Sequence, residues 1–421
     1  MRRLLLICVL AALGAPSVAR ADAVIDWNVQ AQATILAPGP TAHASTLSFA
    51  IVHGAMYDAV NSIDHRYQSY LAVPRARRHA SKDAAAATAA FRVLAALYPD
   101  QLTTLQTRYD ASLAAIADGR AKRRGIAAGE AAAAAMLAAR ANDGRLPAGT
   151  PYPFPLGTAA GEWRVSPPLT TVEPAWWVGN VRPFLIGRGD RFRTAGPNPL
   201  TSKAYARDLN EVKLIGAFDS PLRTADQTTA AIFWQAQPLA LYSGVMRDLS
   251  ARYRLSTADN ARLFGMVTLA AADGAISCWN DKYFWRFWRP IDAIRLADTD
   301  GNPRTEADPT WRPLFDPATP TTPPLVTPNF PDHPSGHSCV TSSVMHTLQD
   351  FFGKDKIAFD VSSPRFPGQP RHFARFSDLL GEIVDARVWG GIHFRTADEQ
   401  GAGIGRKVAR WEQKHYFGRV E

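Results

Sequence analysis

The run from Ala121 to Ala141 carries eleven alanines in twenty-one residues and ends at Asn142-Asp143-Gly144. Alanine is the strongest helix former, and a stop of this kind favours a left-handed cap, so the run predicts one continuous helix. Small side chains let neighbouring helices approach closely, which places this run in a packed core. The same 3.6-residue period recurs along the chain. In 43–63, Leu47, Ile51, Ala55 and Ala59 fall on one side, with Ser45 as a cap. Helices are also expected over 81–97, 101–117, 203–218, 225–235, 239–253, 257–278, 338–352, 377–389 and 396–417. Strand-like alternation is scarce, and no solenoid repeat is visible. The fold class predicted is all-α.

Between the helical halves the character changes. Residues 145–200 hold ten prolines, from Pro147 to Pro199, which forbid a long helix. Trp163, Trp176 and Trp177 in the same stretch argue for an ordered connection, because such side chains normally bury. The reading is two fused helical-bundle halves, 22–200 and 201–421, with this connection covering the bundle and roofing a pocket. A second proline-rich loop runs over 298–328.

Residues 1–21 read as a secretory signal. Arg2 and Arg3 form the charged start, Leu4 to Leu13 a short apolar core, and Ala19-Arg20-Ala21 a cleavage site that sets a mature start at Asp22. No later stretch reads as a bilayer span, so the expectation is a secreted or periplasmic protein without an integral membrane segment. Loss of three arginines would lower the formal net charge from +9 to +6. That is modest, and no basic tract is dense enough to point to nucleic acid. Cys278 and Cys339 would remain and could pair in an oxidising compartment. The sequence sets no oligomeric state.

Three blocks carry chemistry. Pro331-Asp332-His333-Pro334-Ser335-Gly336-His337-Ser338 lies between a proline-rich run and an apolar helix. Ser335 suits the N-cap, Gly336 lets backbone approach a ligand, and a helix start offers free N–H groups to an anion. In Trp279 to Pro290, Lys282 and Arg289 are seven apart, placing both on one face of a continuing helix among aromatics expected to bury. Buried cations need an anion. In Asp385 to His393, the Gly390-Gly391 pair should break a helix, leaving Arg387 on its last turn and His393 near the next start.

Together these blocks resemble the signature of the vanadium-dependent haloperoxidase and type-2 phosphatidic acid phosphatase superfamily: Lys282 to Arg289-Pro290, then Pro334-Ser335-Gly336-His337, then Arg387 through Gly391 to His393. The resemblance implies vanadate as cofactor, with His393 as its metal ligand and Lys282, Arg289, Arg387, Ser335 and Gly336 on its oxygens. It makes His337 the proton relay and places Trp279 and Phe330 beside the halide. The implied activity is oxidation of halide by hydrogen peroxide to hypohalous acid. The alternative on the same site is an exported acid phosphatase that hydrolyses phosphate monoesters through a phosphohistidine; a third reading is a helical protein that only binds an oxyanion. The sequence departs from the pattern at three places. Ala397 stands where an aspartate is expected, with Asp398 one later. Ala386 replaces a serine, and Gln237 falls where an acid is expected after Phe233-Trp234.

Other motifs fail on local chemistry. His333 and His337 have helical zinc spacing, but Pro334 and Gly336 between them oppose that helix. Gly401, Gly403 and Gly405 lack the spacing of a dinucleotide fingerprint.

Overall fold

The computed structural model describes residues 22–147 and 149–420. Residues 1–21, read above as a secretory signal, lie outside the described residues. Thirteen α-helices are described: α1 (Ala23–Leu36), α2 (Ala42–Asp64), α3 (Lys82–Leu97), α4 (Leu102–Ala114), α5 (Arg120–Arg140), α6 (Lys203–Ile215), α7 (Ala225–Phe233), α8 (Pro238–Tyr253), α9 (Thr257–Trp285), α10 (Pro290–Arg295), α11 (Gly336–Phe352), α12 (Phe376–Trp389) and α13 (Arg395–His415). The strands described are β1 (Phe359–Val361) and β2 (Arg371–Phe373), paired antiparallel with Asp360 opposite His372. The fold is all-α, as the periodicity predicts.

Helix starts follow local chemistry. Ser81 accepts from the Ala84 N–H at α3, and Ser256 with Asp259 forms a reciprocal capping box at α9. The small face of α5 does what its composition implies: a Cβ on Gly125 or Gly129 would collide with the backbone carbonyls of Ser81 and Ala85 on α3. Helix α1 was not anticipated, although Val24, Trp27, Ala31 and Ile35 bury at helical spacing and Asp22 caps it. The start of α2 is Thr41, not Ser45, whose hydroxyl bonds back to Ala42 O.

α9 is the organising element. α2, α11 and α13 pack against it, and one apolar cluster runs from α1 to α13 around it. By length and composition α9 could cross a membrane, contrary to the sequence reading; in this fold its most apolar stretch is instead buried in the helical core. The 145–200 connection is ordered against α9. Buried Asp273 accepts the backbone N–H groups of Phe184, Leu185 and Ile186 at 2.6–2.9 Å. Trp163, Trp176 and Trp177 are buried, as their bulk requires.

α9 ends at Trp285, where Arg286 takes a left-handed φ of 45°. Lys282 therefore sits on the last turn of α9 while Arg289 precedes α10. The expectation of one helical face is corrected: a turn, not helical periodicity, brings them together. Phe284, expected to bury, is 57% exposed on the outer side of the last turn of α9, where the Arg193 guanidinium lies over its ring. Cys278 and Cys339 are both buried and free.

Candidate active site

The three blocks converge. Lys282, Arg289 and Arg387 are each at most 1% exposed. Lys282 Nζ donates to the carbonyls of Pro331 and Asp332 at 2.8 and 2.9 Å. Arg289 donates through Nε to Phe330 O and through Nη1 to Ile392 O. Arg387 donates through Nη2 to Gln235 Oε1 at 3.2 Å. Gln235, rather than Gln237, thus faces the arginine; Gln237 reaches Pro40 O. After these bonds Arg289 Nη2 and Arg387 Nε and Nη1 remain buried with no hydrogen-bond partner. Burial pulls all three cations down, Lys282 to about 8 and each arginine to about 10. Buried donors of this kind are costly unless an anion meets them.

Gly391 takes a φ of +73°, a turn that only glycine adopts without strain. It separates Arg387, on the last turn of α12, from His393, just before α13. The glycine pair acts as predicted. His393 turns Nδ1 to Asp332 Oδ1 at 2.8 Å, and Arg289 Nη1 lies 3.2 Å from its Nε2. Burial first, then Arg289, Lys282 and Arg387, hold the imidazole well below its usual range. Asp332 is pushed up to about 8 by burial, with Arg289 and Lys282 pulling it back. A neutral imidazole whose Nδ1–H donates to Asp332 keeps the lone pair on Nε2.

Ser335 is the N-cap of α11 without making a side-chain cap bond. Its hydroxyl neighbours Asp398, whose Oδ1 accepts from Ser338 at 2.8 Å. Asp398, not Ala397, thus places its carboxylate behind this turn; burial raises it to about 7. A Cβ on Gly336 would come within 2.8 Å of the Trp279 ring, so glycine is required for the close approach. His337 bonds Trp234 O through Nε2 at 3.1 Å, with burial and Arg387 holding the imidazole well below its usual range. His333 instead meets Thr194 Oγ1 at 3.0 Å and is held down to about 3 by burial. Among the described residues no group of three or more His, Cys, Asp and Glu is placed to hold a metal cation.

A cavity of about 310 Å³ opens beside these groups, lined among others by His337, Arg387, His393, Trp279 and Phe330. Trp279 and Phe330 lie 5.2 Å apart between ring centres, with Lys282 Nζ 5.6 and 5.0 Å from them. Two further residues line it that the motifs did not reveal: His43 from α2 and Glu173 from the proline-rich connection.

Residues 262–420 match the family model of the VCPO second helical-bundle domain. Over that stretch the chain is similar to the family whose signature its three blocks resemble. Among individual relatives, it is 27% identical over 231 residues to the vanadium chloroperoxidase of Curvularia inaequalis, a match covering 42% of this chain and 37% of that protein. The match therefore spans little more than a third of that relative's length. A bacterial vanadium-dependent iodoperoxidase superposes with a TM-score of 0.72 at 22% identity, covering 94% of this chain and 96% of the other. A holo-type bacterial vanadium-dependent chloroperoxidase gives 0.70 at 16% identity over 95% and 94%. At these identities the structural likeness is one of fold.

Proposed function

We propose that this chain is a vanadium-dependent haloperoxidase that oxidises a halide with hydrogen peroxide. The reaction balances as peroxide, halide and one proton giving hypohalous acid and water. The observation that carries the reading is the set of buried donors without partners on Arg289 and Arg387, gathered around a neutral His393. A multiply charged oxyanion satisfies all of them at once. Vanadate fits this donor set. His393 Nε2 would hold it, with Lys282, Arg289, Arg387, the Ser335 hydroxyl and the Gly336 N–H on its oxygens. Bound vanadate supplies Lewis acidity toward peroxide without changing oxidation state.

The chain's own residues do the rest. Asp332 fixes the His393 tautomer and aims the ring. The three cations balance the oxyanion's charge in a site closed by Trp279, Phe330 and the connection. His337, on the cavity wall, relays the proton. Peroxide-dependent bromination of a dye, assayed with and without vanadate, tests the reading; activity that does not depend on vanadate overturns it.

A second reading is favoured by the Asp332–His393 contact, which also suits a nucleophilic imidazole. In an acid phosphatase His393 would take the phosphoryl group and His337 would protonate the leaving alcohol. Turnover of a phosphate monoester in vanadate-free buffer separates the two. Export also belongs to the proposal: residues 1–21 would be removed, and mass spectrometry of secreted or periplasmic protein should find a start at Asp22.

A further inference from the structure

The halide side of the cavity holds a carboxylate that no motif announces. Glu173 is 2% exposed and arrives on the proline-rich connection. Its Oε1 accepts from the Trp279 indole N–H at 2.6 Å and from the Tyr283 hydroxyl at 2.8 Å. Its Oε2 lies 2.5 Å from His43 Nε2. The His43 ring stacks on Trp279, with centroids 3.8 Å apart and planes 22° apart, and meets Phe330 edge-on at 6.1 Å. The Glu173 backbone N–H donates to Asn329 O, tying the connection to the residue before Phe330.

This arrangement has two consequences for an anion in the cavity. First, the N–H that Trp279 could offer to it is already committed to Glu173, so the wall presents rings and not a free indole donor. Second, a buried carboxylate in that wall repels an anion, and its field reaches Arg289 of the cage. A site that returns few hydrogen bonds penalises the ion that gives up the most hydration. Among halides that is the smallest, because desolvation cost rises as ionic radius falls. Aromatic ring edges and nearby cation faces still favour a large, polarisable anion.

We infer that Glu173, set by His43, is a specificity-determining residue of the halide site, and that this site takes iodide and bromide in preference to chloride. The inference rests on the peroxidase reading for its turnover test, and on anion binding alone for its second test. Intrinsic oxidisability also favours iodide, so the informative quantity is the change in ratio on substitution.

In vanadate-loaded Glu173→Gln, with vanadate affinity and the circular dichroism spectrum shown to be retained, the chloride KM should fall by about tenfold and the iodide KM by only about twofold, the scale of losing one partly screened charge. The ratio of chloride to iodide kcat/KM should then rise about fivefold. A ratio unchanged within a factor of about two overturns the inference. The second test uses vanadate-free, phosphate-loaded protein. Iodide should quench a saturable component of tryptophan fluorescence that is missing in Trp279→Phe. Chloride should displace iodide only at roughly tenfold higher concentration, a gap that narrows in Glu173→Gln. Equal competition by chloride in the unsubstituted protein overturns the inference. If the loaded protein oxidises no halide, the peroxidase reading falls while this competition still decides the site.

Discussion

His393 and Asp332 meet at 2.8 Å through Nδ1 and Oδ1, both buried, and the contact joins two of the sequence blocks. The resemblance places a carboxylate four residues after the histidine, where this chain has Ala397. The carboxylate that orients the imidazole comes instead from the loop before α11. Asp332→Ala should leave His393 free to choose its tautomer and cost about 10- to 100-fold in turnover or vanadate affinity, the usual effect of removing a ligand's hydrogen-bond partner. Asp332→Asn, whose carbonyl can still accept from Nδ1–H, should recover part of that loss. Vanadate titration and peroxide-dependent bromination of the two variants would measure this; equal loss in both would mean that the acceptor atom is not what matters.

The ligand and the cage should separate by mutation. His393→Ala leaves three cations in place, so it should still bind vanadate or phosphate weakly while turnover drops by about a hundredfold or more. Arg387→Ala removes charge-assisted donors worth roughly 1.5–3 kcal/mol and should weaken binding first. Near-normal rates for His393→Ala in both the peroxidase and the phosphatase assay would sink the proposed chemistry.

Oxyanion affinity should depend on pH through Lys282. Burial, which opposes the charged form, brings its ammonium down to about 8 in the anion-free protein, partly offset by Asp332. The cationic form is the one that binds an anion. Affinity is therefore full below pH 8 and falls as pH rises through it, by up to about tenfold per unit for one coupled proton. Sulfate is the suitable probe, since its own charge is constant over this range. Isothermal titration from pH 6.5 to 9.5 should show the decline, and a flat profile would remove Lys282 from the anion's immediate contacts. In Lys282→Met much of the affinity should be lost and the decline should shrink to the part contributed by Asp332, whose carboxyl is pushed up into the same range.

Phe330 closes the cavity beside Trp279, and its ring lies 4.8 Å from the Arg289 guanidinium carbon. Phe330→His places a polar ring beside the halide and should shift preference further from chloride, read as the chloride-to-bromide ratio of kcat/KM. An unchanged ratio would make Phe330 a packing residue only.

The hold of Asp273 on the connection predicts a stability effect. Asp273→Asn keeps the shape but leaves one side-chain oxygen to serve three N–H donors. The expected loss is about 1–3 kcal/mol, the cost of stranding a buried donor, seen as a lowered Tm. Because the connection carries Glu173, halide KM values should change as well. A Tm within error of the parent protein would mean that the connection is held elsewhere.

The helices were legible because they depend on local pattern, while the residues assigned to the cage came from the signature that the three blocks resemble. Alanine content marked α5, and the glycine pair at 390–391 announced the break that frees His393. The bend after α9 was not legible, since a left-handed arginine at 286 carries no composition signal; the spacing of Lys282 and Arg289 reads equally well as helix. Asp332 stood inside a block already singled out, two residues before Pro334, and a search for the imidazole's acceptor could have found it. Glu173 and His43 gave no signal. They reach the cavity from segments that are distant in sequence, and nothing local says that a glutamate among prolines will bury against a tryptophan. The β1–β2 hairpin is too short for alternation to register.

The placement of Glu173 gives the molecule a division of labour. The groups proposed to grip the oxyanion sit on α9, on α12, at the start of α11 and on the turns beside α10 and α13, within the buried core. The group that bears on which anion is admitted arrives on a loop, bonded to that core through side chains and a few amides. Under the proposed reading, exchanging the 145–200 segment would alter which anion is admitted while every residue of the proposed cage stays in place.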